Sequence, residues 1–152
     1  MGDGPLGYTI NGKGFPATQP IAAKLGQKVL VCFLNAGQLS HPMHLHGFHF
    51  TVVARDGVPI APYVVDTLSV GPGEIYDAVF GADSPGVWAF HCHILSHAES
   101  DHGMHGMVTA VIVGDPPGGR VRDAGSFREA GPFCPEEGGC SALLRPPTAL
   151  PC

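Results

Sequence analysis

The 152-residue chain is short of charge: Asp, Glu, Lys and Arg make up 14% of it, against about a quarter in an ordinary soluble domain. Basic residues are the scarcer sign, 8 Lys and Arg against 13 Asp and Glu, and they form no cluster. With no basic stripe to neutralise phosphates, no nucleic-acid partner is expected. No apolar run reaches the ~18 residues that a spanning helix needs, so no membrane span is expected either. The opening Met1-Gly2-Asp3-Gly4-Pro5 has neither a basic stretch nor an apolar core, and no secretory signal is read in this chain. A useful 3.6-residue apolar period is also missing, which argues against a helical bundle.

Glycine (22) and proline (15) are plentiful instead, the mark of many turns and short strands. Tyr8-Thr9-Ile10 stops at Asn11-Gly12, a hairpin-type pair. Lys28–Asn35 alternates Val29, Val31 and Phe33 on one face with Leu30, Cys32 and Leu34 on the other. Phe50–Ala54, Val64–Val70, Ile75–Phe80, Val87–Phe90 and Val108–Val113 are further β-branched or aromatic runs, several divided by Gly and Pro. The pattern predicts one all-β domain, a sandwich or barrel over residues 8–113, after a short leader (1–7). Residues 114–152, more than a third of them Gly or Pro, are expected to form an irregular tail, extended or disordered.

All nine histidines fall between His41 and His105. In His41-Pro42-Met43-His44-Leu45-His46-Gly47, His44 and His46 share one side of an extended strand, so they can hold one metal or two neighbouring ones. In His91-Cys92-His93-Ile94-Leu95-Ser96-His97, the two flanking imidazoles again share a side and Cys92 must point the opposite way. A loop returns His97 and a methionine toward Cys92. One thiolate, imidazoles and a thioether make a soft mixed set that suits a blue-copper site. Zinc is the rival, but the paired cysteines usual in structural zinc sites are missing. Met43, Trp88 and Phe90 read as packing residues. His49, His102 and His105 match no ligand position, and Glu99 and Asp101 read as solvated carboxylates.

The two motifs, H-P-M-H-L-H-G at 41–47 and H-C-H-I-L-S-H at 91–97, resemble those of the C-terminal cupredoxin domain of multicopper oxidases, the laccase-like family. The resemblance covers residues 8–113, including Y-T-I-N-G-K-G-F at 8–15, Asp66-Thr67 and G-V-W-A-F at 86–90. It implies a Greek-key cupredoxin fold and a copper-dependent oxidoreductase. His41, Cys92 and His97 would bind the type 1 copper, with Met104 as the axial residue. His44 would bind the type 2 copper, and His46, His91 and His93 the type 3 pair at which dioxygen is reduced. Cys92, His91 and His93 would then link the two centres and carry the catalysis. For the axial position Met107 and His102 remain open, because Met104 requires a ligand loop two residues longer than usual.

The resemblance also exposes a deficit. The family's trinuclear cluster lies between two cupredoxin domains, and this chain offers only the pairs 44/46 and 91/93. A second copy, a partner chain or further domains of a longer oxidase would supply the rest; the abrupt opening at Gly7-Tyr8 fits the last. The implied partners are dioxygen and a reducing substrate, phenolic, aromatic amine or metal ion. The implied location is periplasmic or secreted. A one-copper electron carrier without oxygen chemistry is the alternative function, and a copper nitrite reductase fits the paired motifs less well. Cys32 reads as a lone thiol, and Cys134 and Cys140 are close enough in sequence to close a small disulfide loop.

Overall fold

The computed structural model describes residues 7–114. Eleven strands and one 3-10 turn (Leu95–His97) make up the regular structure of that region. Strands β1 (Ile21–Ala23), β3 (His41–Leu45), β6 (Thr67–Val70), β8 (Gly86–Cys92) and β11 (Val108–Val113) form a sheet in the order β1-β11-β8-β3-β6. A second sheet, β2-β7-β4-β5, is built from β2 (Lys28–Leu34), β4 (Phe50–Arg55), β5 (Val58–Val65) and β7 (Ile75–Gly81). A small hairpin of β9 (Glu99–Ser100) and β10 (Gly103–Met104) stands apart from both. The β1–β11 pair is parallel and the other pairings are antiparallel. The molecule is thus the expected all-β sandwich, and among the described residues no helix is long and apolar enough to cross a membrane.

The two sheets meet through side chains of alternating strands. Val29, Val31 and Phe33 of β2 are buried, whereas Lys28 and Leu34 are exposed. Phe50 at the centre is fully buried and lies 5.4 Å from Phe33, 5.9 Å from Phe80 and 5.8 Å from Phe90, ring centre to ring centre. Phe90 belongs to the other sheet, so this aromatic group joins the layers at van der Waals contact.

Several boundaries differ from the sequence reading. The Val64–Val70 run is not one strand: β5 ends at Val65 and β6 begins at Thr67, in the other sheet. The break is at Asp66, whose carbonyl leaves the ladder to accept the N–H of Leu45. Most of β5 was not legible because Pro59 and Pro62 interrupt it. As an edge strand it tolerates residues that cannot donate to a ladder. Tyr8–Ile10 is not a strand, but its turn is as expected. Ile10 and Lys13 exchange two backbone hydrogen bonds around Asn11 (φ 52°) and Gly12 (φ 77°), the left-handed pair that a two-residue hairpin requires. Cys32 is disulfide-bonded rather than a lone thiol. It sits on the outward, half-buried face of β2, where a bonding partner has access. The tail expected over 115–152, with Cys134 and Cys140, lies outside the described residues.

Phe50→Ala removes the ring that touches both sheets. The expected cost is about 3–5 kcal/mol of unfolding free energy, read as a lower urea midpoint at unchanged slope.

Candidate metal centre

Strand β8 divides the histidine motif between two environments. Cys92, its last residue, is fully buried and faces the space between the sheets, while His91 is half-buried and His93 exposed. His41, at the start of β3, and His97, at the end of the 3-10 turn, converge on the sulfur. Cys92 Sγ lies 3.7 Å from His41 Nδ1 and 3.6 Å from His97 Nδ1, and the two nitrogens are 3.3 Å apart. These are the ligand atoms of a three-donor group that could hold one metal ion.

Backbone hydrogen bonds fix this triangle. Met107 accepts the Cys92 N–H through its carbonyl (3.0 Å) and donates its own N–H to the His97 carbonyl (2.8 Å). One residue just before β11 thus ties two of the three donors together. Gly106, just before it, has φ 63°, and a Cβ there would lie 2.4 Å from the His97 carbonyl oxygen. Only glycine allows the approach.

Burial holds His41 and His97 below the ordinary imidazole range, with the charge of His97 adding to the effect on His41. Both rings are therefore neutral near pH 7, the form that ligates. Burial likewise pushes the Cys92 thiol up, opposed by a backbone hydrogen bond at Ile94. A bound cation reverses that logic, because coordination deprotonates a thiol outright. A buried sulfur flanked by two neutral imidazole nitrogens fits a soft metal ion such as copper.

The other imidazoles lie on the far side of β8. His46 falls in the turn just past β3 rather than on the strand, yet its ring centre is 4.8 Å from that of His44. His44 lies 5.7 Å from His91 and 5.5 Å from His93, and His46 Nε2 comes within 3.0 Å of His91 Nε2. The ring of His46 is held below the usual range by desolvation and by His44, His91 and His93. Two tautomers follow from partners that can only accept. His44 Nδ1 lies 3.1 Å from the Asp66 carbonyl, so it carries the proton, and the Thr67 hydroxyl is 2.9 Å away. His91 Nδ1 donates to the Cys92 carbonyl at 2.9 Å. With Nδ1 donating, Nε2 is the atom of each ring that can face a ligand.

The family model described as "Multicopper oxidase" matches residues 2–116. The chain belongs to the multicopper oxidase family. It is 40% identical over 102 residues to the multicopper oxidase MmcO of Mycobacterium tuberculosis, an alignment covering 67% of this chain and 19% of that protein. Its structure is similar to the blue copper oxidase from Nitrosomonas europaea, with TM-score 0.71 and 32% identity over 80% of this chain and 42% of that one. It is also similar to the multicopper oxidase mgLAC, with TM-score 0.67 and 38% identity over 77% and 37% of the two chains. The chain spans about a fifth of the length of the curated relatives it matches.

The remaining residues of this multicopper oxidase chain separate clearly. Met104 lies on β10 and is 57% exposed, whereas Met107 is 8% exposed within the core. The hairpin β9–β10, turning at Asp101-His102, takes up the extra length of the ligand loop. Met43 and Phe90 are core, and His49, Glu99, Asp101 and His102 are exposed. Trp88 packs over Gly47, where a Cβ would lie 2.4 Å from the indole. Sequence reasoning gave no role to Thr67 or Tyr8, because neither residue type announces a metal site.

Thr67→Val removes one acceptor from His44 and keeps the side-chain shape. The affinity of the exposed imidazole group for a divalent transition-metal ion should fall about 10- to 100-fold, as for other partners of ligating histidines, and Thr67→Ser should restore it. Metal titration of the purified chain reads both.

Proposed function

We propose that residues 8–113 form the copper domain of a laccase-like oxidoreductase, in which one-electron oxidation of a reducing substrate is coupled to dioxygen reduction. The observation that carries this reading is the tripeptide His91-Cys92-His93, with its sulfur in a buried three-donor group and its imidazoles in a second, solvent-facing group. Bound copper would supply one-electron redox chemistry at the first group and oxygen reduction at the second.

The family resemblance assigns the roles of the chain's own residues. His41, Cys92 and His97 hold the type 1 ion and exclude water from it. Met104 would supply the thioether of that site on the resemblance of Gly103-Met104-His105-Gly106 to the endings of other blue-copper proteins, with Met107, whose backbone bonds to Cys92 and His97, as the alternative. His44 holds the type 2 ion, and His46, His91 and His93 hold the type 3 pair. Four imidazoles make half of such a cluster, and a second copy related by a twofold axis, or a second cupredoxin domain, completes it. We place the protein outside the cytoplasm, where a disulfide at Cys32 and copper are compatible. The substrate is a phenol, an aromatic amine or a metal ion.

A single-copper carrier is the competing reading, favoured by there being only one group of three close-set donor atoms among the described residues. Size-exclusion chromatography with copper analysis separates the two. A symmetric oxidase dimer holds two type 1 ions and one three-copper cluster and takes up oxygen. A carrier holds one ion per chain and takes up none. Cys92→Ser should abolish the intense blue absorption, and retained colour refutes the type 1 assignment. His44→Ala should keep the colour and lose oxygen uptake. Met104→Leu should shift the type 1 spectrum and potential, and an unchanged spectrum removes Met104 from the axial position.

A further inference from the structure

Strand β3 ends at Leu45, one residue before His46, so the ladder does not hold this exposed imidazole in place. Within β3 the register with β8 is firm: His44 lies opposite His91, and Leu45 opposite Phe90. Past that point one backbone bond continues the pairing, the His46 N–H donated to the Ala89 carbonyl at 2.9 Å. Gly47 then turns the chain away with φ 76°. A turn held by one bond is a loose mount for a ligand. His46 Nε2 nevertheless stands 3.0 Å from His91 Nε2, with the two ring centres 5.1 Å apart.

The second support of that turn is the indole of Trp88. A Cβ on Gly47 would overlap atoms of its six-membered ring, so the backbone next to His46 rests directly against it. The indole is itself fixed. Its Nε1 donates to the Ser84 carbonyl at 3.1 Å, and the buried Phe48 ring meets it edge-on at 5.3 Å. Trp88 also precedes Ala89, the acceptor of the His46 N–H, and stands three residues before His91. One short stretch of β8 therefore carries the ring under the turn, the carbonyl that holds it and the imidazole that His46 faces. An indole N–H can only donate, and this one is engaged, so Trp88 has no atom to offer a metal ion. Whatever it does for the imidazole group passes through His46.

We propose that Trp88 is the positioning residue of His46: its ring sets the height of the Gly47 turn, and with it the separation of the His46 and His91 imidazoles. The proposal rests on the reading of the exposed imidazoles as metal donors and adds a residue that touches no metal. A ligand on an unsupported turn samples many positions, and binding must then immobilise it at a cost in affinity. A ligand seated against a fixed ring is already in place. The effect is confined to the wet group, because Cys92 and His97 are tied through the Met107 backbone and not through Trp88.

The test is cobalt(II) titration of the 152-residue chain. Visible ligand-field absorption reads cobalt on the imidazoles, and sulfur-to-cobalt charge-transfer absorption reads Cys92 separately. Trp88→Phe removes the indole N–H and shortens the ring beneath Gly47. It should weaken cobalt binding to the imidazoles about tenfold, the scale set by other partners that orient ligating histidines. The midpoint of the sulfur band should stay within about twofold of the parent, as for sites that do not couple. In chains already carrying His46→Ala, Trp88→Phe should likewise change the imidazole affinity by less than about twofold, because the residue it acts through is gone. If Trp88→Phe does not fold, Gly47→Ala, which presses on the same contact from the turn, replaces it in the cycle. Equal imidazole affinity in parent and variant overturns the proposal. So does a loss that persists beside His46→Ala or weakens the sulfur band equally, the mark of a general structural defect. A parent chain that shows the sulfur band but binds no cobalt on its imidazoles refutes instead the reading of His44, His46, His91 and His93 as a metal group, and the role of Trp88 falls with it.

Discussion

Strand β8 cannot present neighbouring side chains to the same side of its sheet, and the rest of the site is arranged around that constraint. Alternation sends the Cys92 sulfur between the sheets and the His91 and His93 rings away from it. The polypeptide therefore separates a dry compartment from a wet one by the width of a single backbone. A thiolate belongs in the first, where water cannot compete for the metal. Imidazoles suit the second, because they remain good ligands when partly hydrated. The Cys92 carbonyl accepts from His91 Nδ1, so the backbone that separates the two groups also sets the orientation of one ring.

Other elements serve this division by crossing between sheets. β3 brings His41 to the sulfur and His44 to the opposite side, three residues further along. The crossover at Asp66 delivers a carbonyl and the Thr67 hydroxyl to His44 at the point where the chain changes layers. The Met107 backbone then joins the strand that carries the sulfur to the loop that carries His97. None of these contacts involves a charged side chain. A site assembled by backbone bonds and burial needs few ions, which accords with the low charge of the chain.

Period-two alternation made β2, β7, β8 and β11 readable from the sequence almost to their ends, because each has one face in the core. The three-residue β1 carries too little pattern to read, and the prolines of β5 disguise an edge strand. Asp66 was hidden for a different reason: the apolar character continues across it from Val65 to Leu68, and only the sheet assignment shows the break. The donors were legible because imidazoles and a thiol in tight spacing have few other uses. The stacking of Tyr8 on His97 was not, since that contact joins residues nearly ninety apart in sequence. Cys32 shows the limit of counting, because no spacing rule says which cysteine in a sequence is bonded.

The edge strand β5 carries Val58, Tyr63 and Val64 exposed to solvent, a surface that would ordinarily invite fibrous polymerisation. Pro59 and Pro62 carry no amide hydrogen, so the strand offers an incoming partner only an interrupted ladder. End-to-end growth of the sheet is thereby blunted at the border that is greasiest.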